Sequence, residues 1–379
     1  GGYIYLTRGI LAYLNNEAEL AGVIGHEIGH VTARHSVQQY TRAAGAQLLL
    51  GVGSAMSETF RKYAGVAQFG VSMLFLKYSR DDERQADQLG VEYSAKGGYD
   101  ATHMANFFVT LERMHPSQET GGLPEWFSTH PNPTDRVQSI QTDAQQWKAK
   151  LAKNNYAVDE NEYLQKIDGV VYGPDPRQGY VEGNTFYHPT LKFQFPIPAQ
   201  WELNNAPTQV QMYTKQQDAI MIFTLTEATS PSVAADKFVN ESQATVISSD
   251  RTSVNGLTAH RLNTEITSEQ TKIKVQSYFI QLNNQVFVFH GYTTSDQFSG
   301  YSGQFSQTMT QFKRLTDPAK INVKPTRLGI KKTTKQTTLR SALQSFNAPT
   351  DKLEELAIMN GMKLNDTVPA GTLLKVLSK

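Results

Sequence analysis

LAGVIGHEIGHVTARH, residues 20–35, places His26, Glu27 and His30 in the pattern HExxH. Histidines at i and i+4 share one face of an α-helix, one turn apart, and can meet at one metal ion. The reading therefore requires helix, and the neighbourhood supplies it. Asn16 followed by Glu19 fits an N-terminal capping arrangement, and Leu20, Val23, Ile24, Ile28 and Val31 give an apolar face. Gly22, Gly25 and Gly29 each cost about 1 kcal/mol relative to Ala inside a helix, so their presence predicts that other backbone, or a substrate, approaches closely. His35 is nine residues past His26, about 180° round the same helix, and is expected to face away from the metal as a structural or surface residue.

The pattern HExxHxxGxxH would take a third ligand from the same segment, but positions 33 and 36 are Ala33 and Ser36. Catalytic zinc typically keeps three protein ligands and an open position, so the third must come from elsewhere. SRDDERQADQLGVEYSA, residues 79–95, is the best source. Glu83 and Asp87 lie at i and i+4 on one face of a predicted helix, with Ala86 small enough to allow close packing. In that arrangement Glu83 ligates and Asp87 accepts the other ring N–H of a ligand histidine. Asp81, Asp82 and Glu92 compete for these roles, and a solvated charged face is the plain alternative. In WFSTHPNPTDRV, residues 126–137, Pro131 holds His130 out of helical conformation, and Asn132-Pro133-Thr134-Asp135 resembles a capped helix start. Arg136 either anchors this loop by an ion pair or is a surface residue.

Working outward, the chain of 379 residues is long enough for two or three domains. Its 36 Lys and Arg against 35 Asp and Glu leave a charge of +1, which offers no footprint for nucleic acid. The absence of cysteine removes thiol nucleophiles, cysteine-ligated zinc and disulfides. The nearest approach to a membrane span, AGVAQFGVSMLFL at 64–76, falls short of the roughly 18 to 20 apolar residues needed and reads as a buried core helix. The opening GGYIYLTRGIL has neither Met nor an apolar leader, so the sequence is expected to be a processed or truncated segment.

The expected fold class is α+β, in several domains. Residues 1–155 carry helical signals, with one short strand, YIYLTR, at 3–8. Residues 156–185 loosen into Gly, Pro and Asp and read as a linker. Residues 186–316 switch to alternating patterns with turns at Asn255-Gly256 and Asn283-Asn284, and with helices near 231–248 and 296–313. Residues 320–379 have the order strand, helix, helix, strand.

Three blocks in order, GGYIYLTRGILAYLNNEAELAGVIGHEIGHVTARHS, SRDDERQAD and STHPNPTDR, resemble the HtpX and CAAX prenyl protease family of zinc metalloendopeptidases over residues 1 to about 145. Glu58, Arg61 and Lys62 interrupt the stretch where membrane members have apolar spans, so the likeness is to the soluble bacterial branch. The resemblance implies a mainly helical, gluzincin-type domain holding one zinc ion on His26, His30 and Glu83, with Glu27 as catalytic base and Asp87 supporting a ligand. It places His130 near the active site, either stabilising the transition state or filling the metal's open position at rest. It also implies protein or peptide substrates and a periplasmic or envelope location, in protein quality control. The family segment that precedes the first block, and resembles a substrate-pairing edge strand, is not in this sequence. YHPTLKFQFPIPAQWELNN resembles the start of PsbP-like α/β domains, implying an accessory role. TTLRSALQSF, LEELAIMNGM and VPAGTLLKVL resemble a LysM domain, with Gln336-Thr337-Thr338-Leu339 where Gly-Asp-Thr-Leu is usual; the resemblance implies peptidoglycan as a partner if glycan binding survives that departure, and a packing domain is the plain alternative. The rival reading is a non-catalytic cell-wall or protein-binding factor on an inactive peptidase fold, against which the intact Glu27 argues.

Overall fold

The structure, a computed structural model, describes residues 3–39, 78–114, 130, 135–268 and 271–378. The expected core helix at 64–76 and the helix start at Asn132 to Thr134 lie outside the described residues. Of these, the residues up to Pro174 together with those from Pro325 onward form one compact unit, and Asp175–Lys324 form another.

In the first unit, helix α1 (Arg8–Tyr13) begins where Thr7 accepts a hydrogen bond from the Ile10 amide. The strand expected at 3–8 is not formed: residues 3–7 pair with no strand among the described residues, and Tyr3 and Tyr5 stand exposed. Alternation gives an extended chain, but a strand also needs a partner.

Helix α2 (Glu17–Thr32) is capped as expected, with the Asn16 Oδ1 accepting from the Glu19 amide at 2.8 Å. The Glu19 carboxylate in turn accepts from the Asn15 amide at 2.7 Å. Helix α3 (Arg80–Lys96) opens with a capping box of Ser79 and Asp82. The glycines of α2 explain how the two helices meet. A Cβ added at Gly25 would lie 2.8 Å from the Gly90 carbonyl oxygen, and one at Gly29 would lie 3.0 Å from that of Ala86.

Helix α4 (Met104–Arg113) buries Phe107, Phe108 and Leu111, and helix α5 (Arg136–Leu151) buries Ile140 and Ala144. Helix α6 (Glu160–Ile167) lies inside the stretch read as a linker. Tyr163, Leu164 and Ile167 fall on one face and are buried, and the Tyr163 hydroxyl donates to the Leu11 carbonyl at 2.7 Å. The loose composition of residues 168–184 masked these three apolar positions.

The described residues of the second unit form two antiparallel sheets. One has the order β1-β2-β3-β11, from Tyr180–Glu182, Thr185–His188, Phe193–Pro196 and Lys313–Arg314. The other has the order β4-β5-β6-β10-β9-β8-β7, from Glu202–Ala206, Gln209–Tyr213, Ala219–Thr226, Gln285–Thr294, Thr271–Leu282, Leu257–Ser268 and Thr245–Val254. Asn255 (φ 48°) with Gly256 (φ 77°), and Asn283 (φ 56°), supply the left-handed backbone that two-residue hairpin turns require. Successive residues of β10 face opposite sides: Val286 and Val288 share a cluster with Ala234 and Ala235 of helix α7 (Pro231–Ser242), while Phe287 and Phe289 join Phe305 of helix α8 (Phe298–Thr310).

From Pro325 the chain returns to the first unit. Strand β12 (Arg327–Lys332) pairs antiparallel with β15 (Leu373–Ser378), and the short β13 (Thr337–Thr338) pairs with β14 (Thr367–Val368), with helices α9 (Leu339–Ser345) and α10 (Leu353–Met359) between. The expected order of strand, helix, helix, strand is present, but the packing is not that of a separate body. Leu328, Leu356 and Val376 share one hydrophobic core with Tyr13, Leu14 and Phe107. The buried Lys375 donates from Nζ to the carbonyls of Ala12 (2.9 Å) and Leu14 (2.7 Å), at the C-terminal end of α1 where a cation is favoured. No helix among the described residues is long and apolar enough to cross a membrane.

Candidate metal centre

Helix α2 presents His26 and His30 from one face, both buried, with their Nε2 atoms 3.0 Å apart. The close approach of α3 brings the fully buried Glu83 against them: Oε2 lies 3.6 Å from His26 Nε2 and Oε1 lies 3.4 Å from His30 Nε2. One ligand atom from each of His26, His30, Glu83 and His130 can be chosen so that all lie within 4.8 Å of one another.

Two observations test whether a metal fits. Ligand atoms about 2.0–2.1 Å from a tetrahedral zinc stand about 3.3 Å from one another, and the spacings of 3.0, 3.4 and 3.6 Å bracket that value. In addition, Glu83 Oε1 accepts no hydrogen bond among the described residues, although it is buried and faces an imidazole nitrogen. An ionised oxygen in that position calls for a cation. Burial pushes the Glu83 carboxyl up to about 7, against the pull of His26 and Arg136. The residues fit a metal ion.

A further layer fixes His26. Its Nδ1 lies 2.9 Å from Asp87 Oδ1. Arg136 grips Asp87 through two hydrogen bonds, Nε to Oδ2 at 2.7 Å and Nη2 to Oδ1 at 2.6 Å, and its Nη1 stands 2.8 Å from Glu83 Oε2. The guanidinium lies over the Phe108 ring, 4.1 Å from its centroid. Burial alone would raise the Asp87 carboxyl, but the hydrogen bonds and charges of His26 and Arg136 outweigh it and leave it below the ordinary value. An ionised Asp87 accepts a hydrogen bond from the Nδ1–H of His26, which leaves Nε2 bare toward Glu83. Arg136 is thus deep in the site, and its ion pairs are with α3.

His35 does not face away. Helix α2 stops at Thr32, Arg34 adopts φ 58°, and a new helical turn starts at His35. The 3.6-residue rotation holds only while the helix continues. His35 is buried, its Nδ1 is 3.0 Å from His30 Nδ1, and its Nε2 is 3.0 Å from Gln85 Oε1. Tyr78 stacks on the His30 ring at 3.9 Å between centroids, and its hydroxyl is 2.9 Å from Ser36 Oγ. Burial, with His35 and Arg136 adding to it, drives His30 down to about 3, so the ring is neutral.

Glu27, on the next step of α2, has its Oε1 3.8 Å from His130 Nε2. Burial pushes the Glu27 carboxyl up, with Glu83 adding to the effect and His26 and Arg136 opposing it. The His130 ring is 5.5 Å from that of His26 and 5.3 Å from that of His30. Among the competing acids, Asp81 pairs with Arg84 and Glu92 with Lys96 at the surface, while Asp82 caps α3. The structure therefore gathers Glu27, His26, His30, Glu83, Asp87, His130 and Arg136 in one place. Sequence reasoning missed His35, Gln85 and Tyr78. The only signal for them is the second histidine pair, His30 and His35, whose spacing of five makes sense only with a helix break between them.

Residues 1–144 match the family model described as Peptidase family M48. Over 157 residues, or 39% of this chain, the sequence is 34% identical to the putative beta-barrel assembly-enhancing protease of Vibrio cholerae, covering 32% of that protein. It is 29% identical over 145 residues to metalloprotease YcaL of Escherichia coli, covering 37% of this chain and 54% of that one. The chain thus spans about a third of the first relative and about half of the second. Among solved structures, the cyanobacterial PsbP of Synechocystis aligns over 36% of this chain and 96% of its own at 13% identity, with a TM-score of 0.30, a likeness that carries no weight for function.

Proposed function

We propose that the chain is a zinc-dependent endopeptidase that hydrolyses peptide bonds of protein substrates in a bacterial envelope, in the service of protein quality control. The observation that carries this reading is the convergence of His26, His30 and Glu83 at metal-ligand spacing, with Glu27 beside them. Support also comes from the match of residues 1–144 to peptidase family M48 and from the names of the relatives.

When bound, zinc supplies Lewis acidity, polarising a carbonyl and lowering the pKa of a water toward about 7. His26, His30 and Glu83 hold it. Glu27 takes the proton of the attacking water and returns it to the leaving amine. A carboxyl raised by burial is suited to both halves of that transfer. His130, on the Glu27 side, either fills the fourth place of the cluster at rest or donates to the carbonyl oxygen as charge develops there. Asp87 and Arg136 hold His26 in the tautomer that points a bare nitrogen inward.

Glu27→Gln separates this from the non-catalytic alternative. The variant is expected to retain one zinc per chain by metal analysis while casein cleavage falls by about 10²- to 10⁴-fold. Unchanged cleavage overturns the role of Glu27, and a wild-type chain that holds no zinc overturns the metal reading. Peptidoglycan as a partner of residues 320–379 is a separate proposal from sequence pattern. Co-sedimentation of the whole chain with the polymer supports it, and a chain that stays in the supernatant at low salt overturns it.

A further inference from the structure

Resting on the zinc reading above, we propose that His35 is a positioning residue of the metal site, which fixes the tautomer and orientation of His30. The Nδ1 atoms of the two rings lie 3.0 Å apart. A hydrogen bond between two imidazole nitrogens needs a proton on one and a lone pair on the other. His30 turns its Nε2 toward His26 Nε2 (3.0 Å) and Glu83 Oε1 (3.4 Å), so as a neutral ligand it carries its proton on Nδ1 and donates to His35. His35 then carries its own proton on Nε2, and an acceptor stands there: Gln85 Oε1 at 3.0 Å, with the Asp82 carboxylate 3.7 Å away on the same side. Each proton has one place, in the order His30 to His35 to Gln85.

The two ligand histidines are thus held by different chemistry. His26 donates to an ionised carboxylate that a buried arginine neutralises. His30 donates to a neutral ring. A second carboxylate behind His30 would bury an anion for which the described residues of the site supply no further arginine, at a cost of several kcal/mol, whereas an imidazole acceptor orients His30 without adding charge. The break at Arg34 (φ 58°) allows this, because it turns the chain so that His35 comes back to the ring it would have left on a continued helix. The same turn carries Ser36, which meets the hydroxyl of the Tyr78 ring stacked on His30.

Two substitutions at one position make the test. The amide of Asn places its oxygen where Nδ1 of histidine sits, and the amide of Gln reaches the place of Nε2. His35→Asn therefore keeps an acceptor for His30, while His35→Gln removes it. Zinc dissociation constants are measured on the full chain by competition with a chelating dye, alongside melting of the metal-free proteins. His35→Gln is expected to raise Kd about 10- to 100-fold, and His35→Asn to stay within a few-fold of wild type. Equal constants for wild type and His35→Gln, or a greater loss in His35→Asn than in His35→Gln, overturn the proposal. Should His35→Gln fail to melt cooperatively, the exposed Gln85→Leu carries the test: a weaker zinc affinity supports the relay and an unchanged one overturns it. Nitrogen-15 spectra of the zinc-loaded wild type give the direct signature, a protonated Nδ1 on His30, and a bare Nδ1 there overturns it. If wild type binds no zinc at all, the metal reading fails, a result distinct from wild-type zinc binding that ignores His35.

Discussion

Histidines are packed into both units of this molecule, to opposite ends. In the second unit, His260 sits between Ser232 Oγ (3.2 Å) and Ser249 Oγ (2.7 Å), and His290 pairs with Ser277 Oγ (2.7 Å) under the stacked ring of Phe238. A serine hydroxyl donates or accepts as required, so both nitrogens of His260 and Nδ1 of His290 meet neutral groups. In the first unit, His26, His30 and His130 turn toward the carboxylates Glu83 and Glu27, and the hydrogen-bonding account stays open at Glu83 Oε1. A packed histidine is therefore no sign of chemistry. A set of histidines converging on a buried acceptor with no hydrogen-bond partner of its own among the described residues differs, because a metal ion or a proton must close it.

The largest expected effect breaks the comparison at its charged side. Arg136→Met leaves Asp87 and Glu83 buried without their cation, and the metal-free first unit is expected to lose about 3–5 kcal/mol in denaturant unfolding. Arg261→Met, at an ion pair of the second unit that both partners share with solvent, is expected to change little. A loss at Arg136 no greater than that at Arg261 would show that Asp87 is not held ionised.

Next in size is a contrast of sign. Burial lowers His290 to about 4, below its unfolded value near 6.5. The unfolded chain takes up that proton first as pH falls, so the stability of the second unit is complete above about 6.5 and is lost through 4, by up to about 3 kcal/mol. Glu83 in the metal-free protein is shifted the other way, up to about 7 from an unfolded value near 4.5. The folded chain then takes up the proton first, and the contribution of Glu83 to the first unit grows as pH falls from 7 to 4.5. Unfolding measured at several pH values checks both, with His290→Leu expected to flatten one slope and Glu83→Gln the other. Slopes of the same sign in the two units would break the contrast.

What the sequence made legible follows from the range of the interactions. HExxH and the pair Glu83 and Asp87 are spacings within single helices, and local periodicity finds them. The glycines of α2 likewise announced a close neighbour without naming Gly90 or Ala86. The union of Arg136 with Asp87, 49 residues apart, depends on how α5 crosses α3, and no local pattern encodes it. His35 was misplaced because a single left-handed residue, Arg34, ended the helix whose period was being extrapolated. Residues 327–378 showed the right order of elements, yet their union with the first unit runs through Lys375, a residue type that reads as surface until its two carbonyl partners are seen.

The smallest effect sharpens the comparison through packing. A Cβ at Gly25 meets the backbone of α3, 2.8 Å from the Gly90 carbonyl oxygen and 3.1 Å from its Cα, whereas a Cβ at Gly291 meets the ring of Phe305 at 2.6 Å. Gly25→Ala and Gly291→Ala are each expected to cost about 1–3 kcal/mol, as overpacking does. Their consequences diverge. At Gly291 the clash is with the near end of a buried side chain, Phe305 Cγ at 2.6 Å and Cδ1 at 2.7 Å. Relief takes a shift of that side chain, and the strain of Gly291→Ala stays among the aromatic residues of the second unit. At Gly25 the clash is with backbone, and Gly25→Ala must widen the gap between α2, which carries His26 and His30, and α3, which carries Glu83. Zinc affinity is therefore expected to fall in Gly25→Ala and to stay at the wild-type value in Gly291→Ala, read by the same dye competition. A Gly25→Ala chain that is destabilised but binds zinc as tightly as wild type would mean that the ligand set tolerates a shift between its helices, and that the glycines of α2 serve the core alone.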